Sequence, residues 1–174
     1  MIYKIRVILN TEDDVFRDIE IKSNQTLGKL HEAIKSAFSL QGEELASFYK
    51  SDNNWNQGDE IPLEDMTDDG SGETMYDIYV KEVLPNLKSK ILYVYDFMIM
   101  WSFYVEVLEI TDKDLKLNYP LTVFRFGNVP LKAPNKNFSN STDLLLDEDE
   151  DDLLLGDDDL SDLNFEELEN FEDD

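Results

Sequence analysis

The chain has 174 residues, 41% of them hydrophobic, which is room for one ordinary domain with a sizeable core and an appendage. Its 40 acidic and 15 basic residues are unevenly spread. From Asp143 to the end there are 17 acids and no base, so the first 142 residues hold 23 acids and 15 bases, and the body carries about −8 of the total −25. That balance argues against direct nucleic-acid binding, whose affinity comes from Lys and Arg displacing counterions. The lack of Cys removes disulfides, thiolate metal sites and cysteine nucleophiles, and fits a reducing compartment.

The start, MIYKIRVILN, alternates charged and apolar residues where a signal peptide would run apolar without a break, and it reads as the start of a cytoplasmic protein. Tyr3, Ile5, Val7 and Leu9 have the period of two of a half-buried strand. Thr11 to Asp14 form a polar turn, and VFRDIEIK returns as the second strand of a hairpin. In TLGKLHEAIKSAFSLQG, Thr26 is placed as an N-cap. Leu27, Leu30, Ile34, Ala37 and Phe38 share a helical face, and Gly42 is placed to stop the helix. A hairpin followed by an amphipathic helix predicts a β-grasp-like α+β domain with a mostly antiparallel sheet under one covering helix.

LASFYKS predicts a short strand, SDNNWNQGDE a loop, and EDMTDDGSGE a second loop, with only a brief ladder around Ile61 and Leu63 between them. TMYDIYVKEV reads as a strand passing into a short turn or helix ended by Pro85. The run YVYDFMIMWSFYVEVLEI is broken by Asp96, Glu106 and Glu109 and is no membrane span. Every odd position from Tyr93 to Val107 is apolar, which is strand periodicity over about twice a strand's length. Two strands are expected, with a turn near Met98 to Met100. NYPLTVFRFGNVPLKAPN gives a last extended segment. Residues 1–134 are thus read as the domain, 135–142 as a linker and 143–174 as a disordered acidic tail. In the tail, Asn164 and Glu167 could cap a turn bearing Leu160, Leu163, Leu168 and Phe171, while a Ca²⁺-loop spacing from Asp157 fails at Asp162 and Leu168.

The element order and the motif Tyr93, Tyr95, Asp96, Phe97, Trp101 and Glu106 resemble the Ri-plasmid ORF-3-like family, also labelled transposon passenger proteins. The family pattern reads Tyr-x-Tyr-Asp-Phe-Gly-Asp-x-Trp-x-His, and here Met98 and Ile99 stand for Gly-Asp and Phe103 for His. The resemblance covers about residues 1–130 and implies an α+β domain with this motif in a hairpin, in a mobile-element-associated family of unassigned role. The replacements point to an altered or bulged turn. Met98, Ile99 and Phe103 are then expected to contact the core.

No GxSxG, phosphate loop or HExxH is present, and the single histidine, His31, reads as a residue at the boundary of the helix's apolar face. Two readings of Asp96 stand side by side. It can face solvent or bond backbone N–H groups at the turn, or it can line a binding surface with Tyr104 and Glu106. Trp55 is a contact candidate in its loop, although a loop Trp is more often tucked under. No catalytic residue, metal or cofactor is assigned. The leading expectation is a non-enzymatic module that binds a protein partner, basic in character, with no direct nucleic acid and no membrane. The alternatives are a hydrolase-like or metal-dependent enzyme using carboxylates, and an acidic nucleic-acid mimic acting on a DNA-associated protein.

Overall fold

The computed structural model describes residues 1–134; the expected linker, tail helix and tail Ca²⁺ spacing lie outside the described residues. The elements are β1 (Ile2–Leu9), β2 (Phe16–Lys22), α1 (Leu27–Ala37), β3 (Ala46–Ser51), β4 (Gln57–Pro62), α2 (Val80–Val83), β5 (Lys90–Tyr95), β6 (Trp101–Thr111) and β7 (Leu121–Phe126). The seven strands form one sheet in the order β4-β3-β5-β6-β1-β2-β7, and each pairing is antiparallel. The fold is α+β and rich in sheet.

The predicted hairpin and covering helix are present. Tyr3, Ile5, Val7 and Leu9 of β1 and Ile19 and Ile21 of β2 face the same core as Leu27, Leu30, Ile34, Ala37 and Phe38. Thr26 caps α1 by accepting from the Lys29 N–H at 3.3 Å. The helix ends earlier than Gly42 implied. Its last residue is Ala37, and Ser39 already has φ 54° while Gly42 has φ 82°, so the chain turns away before the glycine. β5 and β6 add Tyr93, Phe103, Val105 and Val107 to the core, with Phe103 4.7 Å from Phe38 and Tyr93 4.8 Å from Phe48, ring centre to ring centre. Aromatic pairs at this separation and tilt add to what burial alone contributes.

Three expectations need correction. The last four residues of the SDNNWNQGDE loop are strand: Gln57 to Glu60 belong to β4, because pairing with β3 overrides their poor strand propensity. TMYDIYVKEV forms no strand. Met75, fully buried, plugs the core from a loop folded by side-chain turns at Asp65, Asp69 and Asp77, a single Thr26–Tyr79 bridge follows, and α2 comes next. The β5–β6 turn spans Asp96 to Met100, and the core contacts expected of Met98 and Ile99 are not there, since these residues are 90% and 55% exposed. The odd positions Phe97 and Ile99 fall in the turn, while Tyr95 and Trp101 resume pairing with the same parity on either side of it.

Candidate functional site

Period-two alternation gives each strand a second set of side chains on the sheet face away from α1, and register aligns them. Tyr49 stands opposite Leu92, Leu92 opposite Tyr104, Tyr104 opposite Ile8, Ile8 opposite Phe16, and Phe16 opposite Phe126. One apolar row therefore crosses six strands. At the usual strand spacing it is about 24 Å long. Leu92 is fully buried, Tyr49, Tyr104, Ile8 and Phe16 are half-buried, and Phe126 is 49% exposed and stacked on Phe16 at 5.3 Å.

Trp55 caps the middle of this row. Asp52 holds the β3–β4 turn by accepting from the N–H groups of Asn54 and Asn56 at 2.8 and 3.0 Å, and Trp55 takes the left-handed φ of 67° that the turn requires. Its indole lies edge-on to Tyr104 at 4.9 Å, with the Lys90 ammonium 5.4 Å from the indole centre. Lys90 pairs with Glu106 at 3.3 Å. Trp55 is thus partly tucked under instead of displayed, and burial raises the Tyr104 phenol above its ordinary pKa.

Beside the apolar row runs a charged one: Lys90, Glu106, Arg6 and Asp18 are successive register partners of alternating sign. Arg6 grips Asp18 with two bonds of 2.8 and 2.9 Å and lies 4.1 Å over the Phe16 ring. The hydrogen bond to Asp18 raises the Arg6 pKa further. Opposite charges across a ladder stabilise the sheet and neutralise one another.

Of the four predicted binding residues, the fold brings Trp55, Tyr104 and Glu106 together and leaves Asp96 out. Asp96 sits at the hairpin tip with φ 66°. Its side chain accepts from the Met98 N–H at 3.0 Å and the Ile99 N–H at 3.4 Å, and its own N–H donates to the Leu45 carbonyl at 2.8 Å. It builds the turn. Its neighbour Phe97 is 40% exposed, whereas the other motif residues are structural: Trp101 is 8% exposed, the Tyr95 hydroxyl lies 2.8 Å from the Gln41 and Gly42 carbonyls, and Tyr93 reaches α1.

The contact that Tyr93 makes corrects the reading of His31. The histidine is 6% exposed, so it is buried and not a boundary residue, and its Nδ1 shares a 2.6 Å hydrogen bond with the Tyr93 hydroxyl. Burial, helped by the Lys35 charge, lowers its pKa to about 4, and burial pushes the Tyr93 phenol far upward. His31 also lines a cleft of ≈ 660 Å³ with Glu32, Lys35, Glu43 and Tyr76. There the Tyr76 hydroxyl donates to Glu32 at 2.7 Å, and burial followed by that bond raises its pKa to about 12. A second cleft of ≈ 720 Å³, mostly apolar, lies under the hairpin tip between Phe38, Ile99, Trp101, Val129 and Leu131. Among the described residues no group of three or more His, Cys, Asp or Glu is arranged to hold a metal, and no helix is long and apolar enough to cross a membrane.

With this geometry in view, residues 1–132 match the family described as plasmid pRiA4b ORF-3-like protein. The chain belongs to that family. A crystal structure of a protein of unknown function, MM3350 from Methanosarcina mazei Go1, is similar to this ORF-3-like domain in fold. The two are 20% identical, with a TM-score of 0.60 over 74% of this chain and 71% of that one. No curated protein matches. Within the ORF-3-like motif, the position Phe103 occupies is the centre of the core, and the positions of Met98 and Ile99 are solvent-facing. Sequence reasoning missed Lys90, Tyr49, Ile8, Leu92, Phe16 and Phe126 as companions of Tyr104, because alternation assigns a face to each residue while only register aligns residues from different strands.

Proposed function

We propose that this β-grasp-like domain is a protein-interaction module whose open sheet face receives an apolar stripe of a partner. The observation that carries the reading is the row from Tyr49 to Phe126, apolar across six strands, with Leu92 buried, four residues half-buried and Phe126 49% exposed. Apolar surface that is contiguous and rimmed by polar groups is the ordinary signature of a docking site. An amphipathic helix of roughly 16 residues would cover the row's length. The paired charges beside the row are satisfied internally, so they set register more than affinity. The body's excess of acids, and the far larger excess from Asp143 on, favour a basic partner in a reducing, cytoplasmic setting.

A carboxylate or histidine enzyme is the second reading, and the cleft beside His31 favours it, because a neutral buried imidazole next to polar groups is a recurrent catalytic arrangement. One experiment separates the two. A partner co-purified with the chain from host cells is titrated against Tyr49→Glu, Phe126→Glu and Glu32→Gln. The expected result is a loss of affinity of about tenfold or more for the two row variants, near 1.4 kcal/mol, with thermal midpoints within a few degrees of the parent. Unchanged affinity in both, or a loss confined to Glu32→Gln, overturns the docking reading.

A further inference from the structure

His31 and Tyr93 lie inside the helix-covered face of the sheet, and their shared bond fixes where the protons sit. The Tyr93 side chain is fully buried, and among the described residues its hydroxyl has His31 Nδ1, at 2.6 Å, as its only hydrogen-bond partner. The neutral ring has two ways to meet it. With the ring proton on Nδ1, that nitrogen donates to the phenol oxygen, and the phenol's own proton is left buried without an acceptor. With the phenol donating to a bare Nδ1, both groups are satisfied and the ring proton sits on Nε2. An unmade bond at a buried hydroxyl is costly enough to favour the second arrangement about tenfold or more. Burial, which lowers the His31 pKa to about 4, keeps the ring neutral at pH 7.

Nε2 makes no hydrogen bond within the described residues, yet no buried side-chain nitrogen there lacks a partner, so this nitrogen is not sealed in. It meets the ≈ 660 Å³ cleft that His31 lines. The histidine is only 6% exposed, so it presents an unpartnered donor from a fixed position. We infer that this cleft binds a small molecule bearing a neutral amide, whose carbonyl oxygen accepts from the His31 Nε2–H. The surrounding charges favour a neutral ligand. Glu32 and Glu43 line the cleft against one cation, Lys35, which Glu43 already holds at 3.0 Å. Glu32 is engaged by the Tyr76 hydroxyl at 2.7 Å and by Lys29 at 3.5 Å. An anion would meet two carboxylates and no free cation among the lining residues. An amide instead offers its carbonyl to the donor and its N–H groups to the carboxylates, with a short apolar body for Leu40 and Leu63.

This inference narrows the histidine reading, because a ring with its proton on Nε2 gives the cleft a donor and not a base. It is independent of docking on the opposite face of the sheet. The test is nuclear magnetic resonance of the nitrogen-labelled full chain, in which His31 is the single histidine and its ring signals stand alone. At pH 7 the expected spectrum of the parent chain shows Nε2 protonated and Nδ1 bare. N-methylacetamide moves the Nε2 signal along a saturable curve, whereas acetate at the same concentrations leaves it in place. Tyr93→Phe, which removes the donor to Nδ1, brings up the Nδ1–H form. His31→Phe, which keeps a ring without the donor, weakens amide binding about tenfold or more, read from the Leu40 and Gln41 backbone signals. A proton on Nδ1 in the parent chain overturns the proposal. So does an Nε2 signal that N-methylacetamide does not move, or one that acetate moves at lower concentration.

Discussion

The two faces of the sheet use the same strands and the same alternation, yet they resist perturbation in different ways. On the helix-covered face Tyr93, Phe103, Phe48 and Phe38 interlock with essentially no exposure, so each ring is held by the others. On the open face Tyr104 meets Trp55 edge-on, Phe16 stacks with Phe124 and Phe126 beneath Arg6, and Tyr49 is half-buried, so part of the surface of each still meets water. Burial, and not residue type, separates an aromatic that defines the fold from one available to a partner.

The largest effect expected follows from that contrast. Phe103→Ala, in the core, costs about 3–5 kcal/mol in urea unfolding, whereas Tyr104→Ala, the next residue in the same strand, costs roughly 1 kcal/mol. Equal losses would mean that something covers the open face, and the docking reading would then lose its free surface.

Much of this contrast was legible in the sequence. The odd positions of β1 and β6 and the helical face from Leu27 to Phe38 repeat with the periods of strand and helix, so their burial follows from sequence order alone. What was not legible depends on long-range register or on local turn chemistry. The row from Tyr49 to Phe126 joins residues far apart in the chain, and no local pattern states their alignment. Only the end of β4, at Ile61, reads as ladder; its first residues read as loop because Gly58 and Asp59 are poor strand formers that only pairing with β3 makes extended. The β5–β6 turn falls where the sequence reading expects it, around Met98 to Met100, but begins two residues earlier, because Asp96, the residue that builds it, sits inside an otherwise unbroken alternation.

A smaller effect, and one that depends on pH, probes the polar element within the covered face. His31 titrates near 4 in the folded chain against about 6.5 unfolded, so between those values the unfolded state binds more protons, and stability falls as the pH falls through that window. The part due to His31 is about 3 kcal/mol, complete below pH 4. The variant His31→Leu, which also loses the bond to Tyr93, starts less stable at pH 7 but shows a shallower decline to pH 4. Glu32, Lys35 and Glu43, the charges acting on the imidazole, are present in both proteins, so the difference between the two curves is what isolates His31. Parallel curves would place the imidazole in water, contrary to its burial.

The hairpin tip joins the two faces, and there the effects become small. Asp96→Ala removes the acceptor for the Met98 and Ile99 N–H groups and puts Ala at a φ of 66°, for a cost of about 1 kcal/mol by urea unfolding. Replacing Met98 by Gly and Ile99 by Asp, the residues of the family pattern, has the smallest effect of all. Had both side chains been buried, the exchange would remove core contacts and strand a carboxylate in an apolar site, at several kcal/mol. They are instead 90% and 55% exposed, so little surface leaves water when they fold and little is lost when they go. Glycine adds some backbone freedom to the unfolded chain, which costs a few tenths of a kcal/mol, and Asp in a solvated turn is close to neutral. The double variant should therefore unfold within about 0.5 kcal/mol of the parent, while Phe103→His, at the third departure from the pattern, destabilises strongly because a polar ring enters the centre of the core. A large loss in the double variant would show that Met98 or Ile99 is covered in solution, and the apolar cleft beneath the tip, which Ile99 lines, would be the place to look for what covers it.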